Sequence, residues 1–241
     1  MRPAREALCA LGEILLIPGR MENLDVKEPS VVVVVPAYNE EETIGEVCTV
    51  LVGHPQVDEV VVVSDGSTDR TAEVARSCGA RVVELPENVG KGAAMHAGIS
   101  STSAEIVLFL DADLIGLRPE HVDSMLRPVL DGASQMSIGV FEGGRTSTDF
   151  AQAIAPFLSG QRAVHRSVLS SLDDITESGY GVEVALTRYM RRNHGSVCEV
   201  VLADLTHRMK EEKRGLIKGF AARMKMYWEI VKYLPKDKVR D

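Results

Sequence analysis

SVVVVVPAYNEE, residues 30–41, decides the fold. The valine run Val31–Val35, stopped by Pro36, is too short for a helix of ordinary length. An unbroken β-branched run is what a strand buried on both faces requires, and such strands belong to parallel sheets covered by helices on both sides. Asn39 followed by Glu40, Glu41 and Glu42 suits the positive end of a helix dipole. The spacing therefore predicts a helix capped by Asn39, packing through Ile44, Val47, Cys48 and Leu51.

The same alternation continues outward. VDEVVVVSDGS (57–67) reads as a strand and turn, DRTAEVARSCG (69–79) as a helix closed by Gly79, and ARVVEL (80–85) as a short strand. GKGAAMHAGISS (90–101) reads as a helix and AEIVLFL (104–110) as the next strand. Strands alternating with helices imply crossover connections and a mostly parallel sheet. Farther on, the pattern predicts a helix over PEHVDSMLRPVLDG, disturbed at Pro128, and a strand over SQMSIGVF. A loop at GGRTST, a helix over GYGVEVALTRYMRRNHG, a strand over SVCEVVLADL and an amphipathic helix in the tail follow. The organisation is a lead-in (1–29), one domain (30–207, with halves 30–114 and 115–207) and a basic helical tail (208–241).

Ligands in such sheets bind beyond the carboxyl ends of the strands. PAYNEE, SDGSTD and DADL all fall there. Asp111 and Asp113, separated by Ala112, would share one side of an extended backbone. Two carboxylates so close repel each other and cost free energy unless something positive sits between them.

The bulk properties exclude several classes. With 241 residues, 45% apolar, the chain fits one large domain with a real core. Its net charge of −8 argues against general nucleic-acid binding. The four cysteines show no metal-ligand or redox spacing, which suits a reducing, cytoplasmic setting. No apolar run reaches the roughly 18–20 residues of a membrane span. Residues 205–241 carry eleven Lys/Arg against five Asp/Glu, so an acidic body bears a basic tail.

VVVVVPAYNEEETIG, VVVVSDGSTDRT, NVGKGAAMHAGI and FLDADL, in this order, resemble the nucleotide-binding half of family 2 glycosyltransferases. The resemblance implies a Rossmann-like A-type glycosyltransferase fold and a nucleotide-sugar donor. Pro36, Ala37, Tyr38 and Glu40 would then hold base and ribose. Asp65, with Gly66 and Ser67, would read the base edge, and Lys91 would meet phosphate or ribose. Asp111 and Ala112 would meet the ribose or metal-bound water, and Asp113 would ligate Mg²⁺ or Mn²⁺.

In the second half, GGRTST, PFLSGQRAVHRSVL, GYGVEVAL and LADLTHR resemble glucosyl-3-phosphoglycerate synthases and their mannosyl relatives, a retaining group. That likeness makes UDP-glucose the expected donor and a small phosphorylated molecule the expected acceptor. Glu183 would face the donor sugar hydroxyls, His207 would complete the metal site, and Arg145 with Thr146 would meet the acceptor's anionic group. The chain departs from the group at Ser147, where the group has threonine, and at Met209, where it has asparagine. The alternatives are a polyprenyl-phosphate glycosyltransferase lying on a membrane through the basic tail, and a non-catalytic nucleotide-sugar-binding protein. The tail helix could equally serve a homodimer.

Overall fold

A computed structural model describes residues 28–141, 159–170 and 182–207. The expected tail helix, most of the lead-in and the GGRTST loop with Arg145 and Thr146 lie outside the described residues.

The first half alternates as its sequence predicts. Strand β1 (Val31–Ala37) is followed by α1 (Ile44–Leu51), β2 (Glu59–Asp65), α2 (Thr71–Ser77), β3 (Arg81–Leu85), α3 (Lys91–Ser100) and β4 (Ile106–Phe109). Then come β5 (Leu114–Ile115), α4 (Pro119–Leu130), β6 (Met136–Phe141), β7 (Arg162–His165), α5 (Arg166–Leu169), α6 (Val182–Arg192), β8 (Val197–Leu202) and β9 (Thr206–His207). One sheet has the order β3-β2-β1-β4-β7-β6-β8, and β5 pairs with β9 apart from it. The β1–β2, β1–β4, β2–β3 and β6–β8 pairs are parallel, while β7 runs antiparallel to both its neighbours.

The valine run behaves as a doubly buried strand. Val31, Val33 and Val35 enter one apolar layer with Ile44, Val47, Cys48 and Leu51 of α1 and Val122, Met125 and Leu126 of α4. Val32 and Val34 enter the opposite layer with Ala94 and Met95 of α3 and Leu186 and Met190 of α6. Successive side chains point to opposite faces, so one strand feeds two cores. Each such buried valine contributes roughly 1.5–3 kcal/mol of transfer free energy.

Three local expectations fail. Asn39 does not cap α1: it takes a left-handed φ of 53°, and its side-chain oxygen accepts from the Thr68 N–H, 2.8 Å away. Asparagine tolerates that conformation, and its side chain joins the loops after β1 and β2 instead of starting the helix. Pro128 does not interrupt α4, which continues to Leu130. DADL is not extended either. Strand β4 ends at Phe109 and residues 112 and 113 form a turn, so the two aspartates do not owe their proximity to strand alternation.

Candidate active site

The carboxyl ends of β1, β2 and β4 open together into a cavity of about 540 Å³. Pro36 and Ala37 line it at the end of β1 with Tyr38 and Glu40 just beyond, Asp65 ends β2, and Asp111, Ala112 and Asp113 follow β4. Lys91, at the start of α3, and His207 complete the wall. Thus ten residues expected from separate stretches of sequence share one hollow. Asn88, Gly90 and Ala94, within the NVGKGAAMHAGI stretch, line it as well.

The first two loops are tied to each other. Ser67 Oγ accepts from the Asn39 N–H at 3.2 Å, Thr71 Oγ1 from Glu40 N–H at 2.8 Å, and Asp69 Oδ2 from Glu41 N–H at 3.2 Å. Gly66 sits at φ 65°, where a Cβ would lie 2.3 Å from the Glu87 carbonyl carbon, so this turn admits only glycine. Gly66 and Ser67 therefore shape the wall from behind. Asp65, only 3% exposed, accepts the N–H groups of Val89 and Gly90, each at 2.9 Å and each on a different carboxylate oxygen. Its carboxylate fastens the loop that leads into Lys91.

Charge in the floor is paired. Lys91 Nζ lies 2.6 Å from Asp111 Oδ1 and 2.8 Å from Glu183 Oε1, so α3, the β4 end and α6 meet at one ammonium. Desolvation pulls the Lys91 pKa down, but Asp111 and Glu183 outweigh it and the pKa stands well above the usual lysine value. The Gln161 amide donates to the other Asp111 oxygen, Oδ2, at 2.9 Å. The positive partner of Asp111 is therefore a lysine supplied by this chain.

Asp113 looks the other way. Its Oδ1 is 3.0 Å from His207 Nδ1, and the antiparallel β5–β9 register, which pairs Leu114 with His207, puts them together. Phe141 packs edge-on against the imidazole, with ring centroids 4.7 Å apart. The hydrogen bond with Asp113 raises the His207 pKa above its usual 6.5, partial burial opposes this, and the charge of Asp111 adds to the rise. One ligand atom each from Asp111, Asp113 and His207 lies within 4.8 Å of the others. Two carboxylates and an imidazole on the half-buried floor of this hollow fit Mn²⁺ or Mg²⁺.

The missed residues come from β7. RAVH is short and begins with arginine, a residue rarely buried. Arg162 is nevertheless fully buried, its pKa lowered to about 10 by desolvation against the opposing charge of Glu183, and it donates to Thr187 Oγ1 at 2.8 Å. The apolar Ala163-Val164 pair was the available signal.

Comparison with known proteins agrees with this geometry. Residues 32–176 match the family described as Glycosyl transferase family 2. A glucosyl-3-phosphoglycerate synthase of Mycobacterium tuberculosis is 34% identical over 73% of this chain, which spans 66% of that relative's length. The crystal structure of glucosyl-3-phosphoglycerate synthase from M. tuberculosis with Mn²⁺, UDP and glucosyl-3-phosphoglycerate superimposes with a TM-score of 0.69 at 30% identity. It covers 84% of this chain and 78% of that one. A structure of the same enzyme with Mn²⁺, UDP-glucose and glycerol 3-phosphate gives 0.69 and 30%, covering 84% and 79%. The motifs, the sheet order and these matches carry one conclusion: the chain belongs to glycosyl transferase family 2.

Proposed function

We propose that this protein transfers glucose from UDP-glucose to a small phosphorylated acceptor with retention, as a glucosyl-3-phosphoglycerate synthase-like enzyme. The observation that carries the reading is the joining of Asp111, Asp113 and His207 in one hollow with the loops after β1 and β2 and with Lys91. A uracil ring and ribose fit between Pro36–Tyr38 and the Asp65 loop, with Glu40 at the ribose. The backbone N–H groups at the start of α3 and the Lys91 ammonium suit the diphosphate. Asp113 and His207 hold the ion, with Asp111 beside it. Bound there, Mn²⁺ or Mg²⁺ supplies Lewis-acid stabilisation for the departing diphosphate. Glu183, paired with Lys91, faces the donor sugar hydroxyls, and Arg145 with Thr146 meets the acceptor's anionic group.

The reaction belongs in the cytoplasm, consistent with the free thiols of Cys48, Cys78 and Cys198. Among the described residues no helix is long and apolar enough to cross a membrane. The basic surplus of the tail supports peripheral contact with an anionic surface or with a second copy.

A nucleotide-release assay across UDP- and GDP-sugars, with and without Mn²⁺, tests the reading against a panel of phosphorylated acceptors. UDP release from UDP-glucose that requires both metal and a phosphorylated acceptor is expected. Equal release from GDP-mannose with a polyprenyl phosphate would replace this reading by the membrane one.

A further inference from the structure

The antiparallel β4–β7 register pairs Phe109 with Arg162. Continuing that register two residues past Phe109, and two residues before Arg162, sets Gly160 opposite Asp111. At Gly160 there is no Cβ, and the space is taken by the Lys91 ammonium reaching Asp111. A Cβ built there would lie 2.5 Å from Lys91 Nζ and 2.6 Å from both Asp111 carboxylate oxygens. Gly160 has no left-handed φ that would demand glycine, so the catalytic side chains supply the demand.

The next residue closes the arrangement. Gln161 is fully buried, and its amide is oriented at both ends: Nε2 donates to Asp111 Oδ2 at 2.9 Å, and Oε1 lies 3.2 Å from Ser159 Oγ. The Ser159 carbonyl in turn accepts from Arg162 Nε at 2.9 Å, which anchors the turn to the fully buried arginine. Asp111 is thereby held at both oxygens, by a cation on one and an amide on the other, while Asp113 pairs with His207.

We propose that Gly160 and Gln161 are positioning residues that fix the Lys91–Asp111 pair, Gly160 by leaving the space and Gln161 by orienting the carboxylate. The consequence for catalysis rests on the glycosyltransferase reading above; the positioning itself does not. A methyl group at this turn would force Lys91 and Asp111 apart and leave the Asp111 charge less compensated beside Asp113. Because the atoms a new Cβ would meet are side-chain tips, Gly160→Ala retains the fold and displaces the pair.

The test couples metal-free stability with turnover. Urea midpoints are measured for Gly160→Ala and Gln161→Met, each alone and in a Lys91→Ala, Asp111→Ala background. The proposal expects each substitution to lower the midpoint in the otherwise wild-type protein; in that background Gly160→Ala should leave it unmoved, and Gln161→Met should lower it clearly less, by the Ser159 hydrogen bond alone. In the assay with Mn²⁺ and UDP-glucose, both single variants should lose about ten- to hundredfold in kcat, the range for one hydrogen bond to a charged group, with a higher Mn²⁺ requirement. The KM for nucleotide should move far less than kcat. Equal midpoint shifts in both backgrounds would show a merely structural role and overturn the proposal, as would coupled stability with wild-type turnover. A wild-type protein inert with every donor, but with the coupling intact, would sink the functional reading and leave the positioning standing.

Discussion

In the half of the sheet made by β3, β2, β1 and β4, each wall segment sits at or just past the carboxyl end of its strand: PAYNEE at the end of β1, DGS at the end of β2, DADL after β4. In the half made by β7, β6 and β8, Gly160 and Gln161 precede β7, which reaches the cavity with its amino end because it runs antiparallel. His207 comes by a third route, through the separate β5–β9 pair. A parallel strand places its functional residues after itself, so its motif is contiguous and legible. An antiparallel insertion places them before itself, and only the register tells which residue faces the site.

The largest expected effect lies where the two halves meet. Asp113→Ala removes the carboxylate shared by the candidate metal site and His207. Even residues that only support a ligand cost about ten- to hundredfold in metal affinity when lost, so the ligand itself should cost at least a hundredfold. Calorimetric titration of Mn²⁺ with UDP should show binding abolished. Thermal unfolding of the metal-free variant should stay near wild type, because a like charge beside Asp111 has gone. Undiminished Mn²⁺-dependent turnover would break the link between the halves.

His207 sharpens that link through pH. Its pKa is raised above 6.5, chiefly by Asp113, so the protonated imidazole stabilises the metal-free fold below about 6.5, and that support is lost as pH rises through the raised value. Metal needs the neutral ring, so affinity runs the opposite way and should fall about tenfold per unit as pH drops below the raised pKa. His207→Ala should bind Mn²⁺ weakly and lose this slope. A variant with wild-type affinity at pH 7.5 would detach β9 from the metal site.

What could be read in advance follows from this geometry. The valine runs, the glycines after helices and DADL are local signals, and they fixed β1 to β4 and most of the cavity wall. Asn39 misled because a residue good at capping is also good at left-handed turns, and the partner that settled it, Thr68, lies on another loop. β7 escaped because buried Arg162 hides a strand in polar sequence, and Gln161 escaped because its meaning depends on pairing with β4. The expected base-reading role of Asp65 meets a carboxylate already engaged by two backbone N–H groups.

Asp65→Asn separates those two roles. The amide replaces one acceptor oxygen by an N–H group facing the loop, so the Val89–Gly90 clasp opens. A hydrogen bond to a charged group is worth about 1.5–3 kcal/mol, so donor binding should weaken roughly tenfold or more. If Asp65 acts through the loop, UDP, GDP and ADP weaken alike in competition titrations. A loss confined to UDP would assign Asp65 to the base edge.

The smallest effect compares two glycines on α3, one facing the sheet and one facing α6. Gly98 lies against β1 and β2, where an added Cβ would fall 2.3 Å from Val34 Cγ1 and 3.2 Å from Val63 Cγ2. Gly92 faces α6, where the nearest atom would be Val182 Cγ2 at 3.7 Å, an ordinary contact. Replacing a helical glycine by alanine gains about 0.5–1 kcal/mol from the backbone. At Gly92 nothing opposes that gain, and Gly92→Ala should raise the urea midpoint slightly. At Gly98 the methyl group overpacks a close-packed valine layer, at a cost of about 1–3 kcal/mol, so Gly98→Ala should lower it despite the same backbone gain. The two variants share helix, residue change and unfolded state, and their difference reports only how tightly α3 is seated on each side. If Gly98→Ala is the more stable of the two, α3 can slide along β1. Lys91, about two turns away at its start, would then owe its place to Asp111 and Glu183 rather than to the sheet beneath.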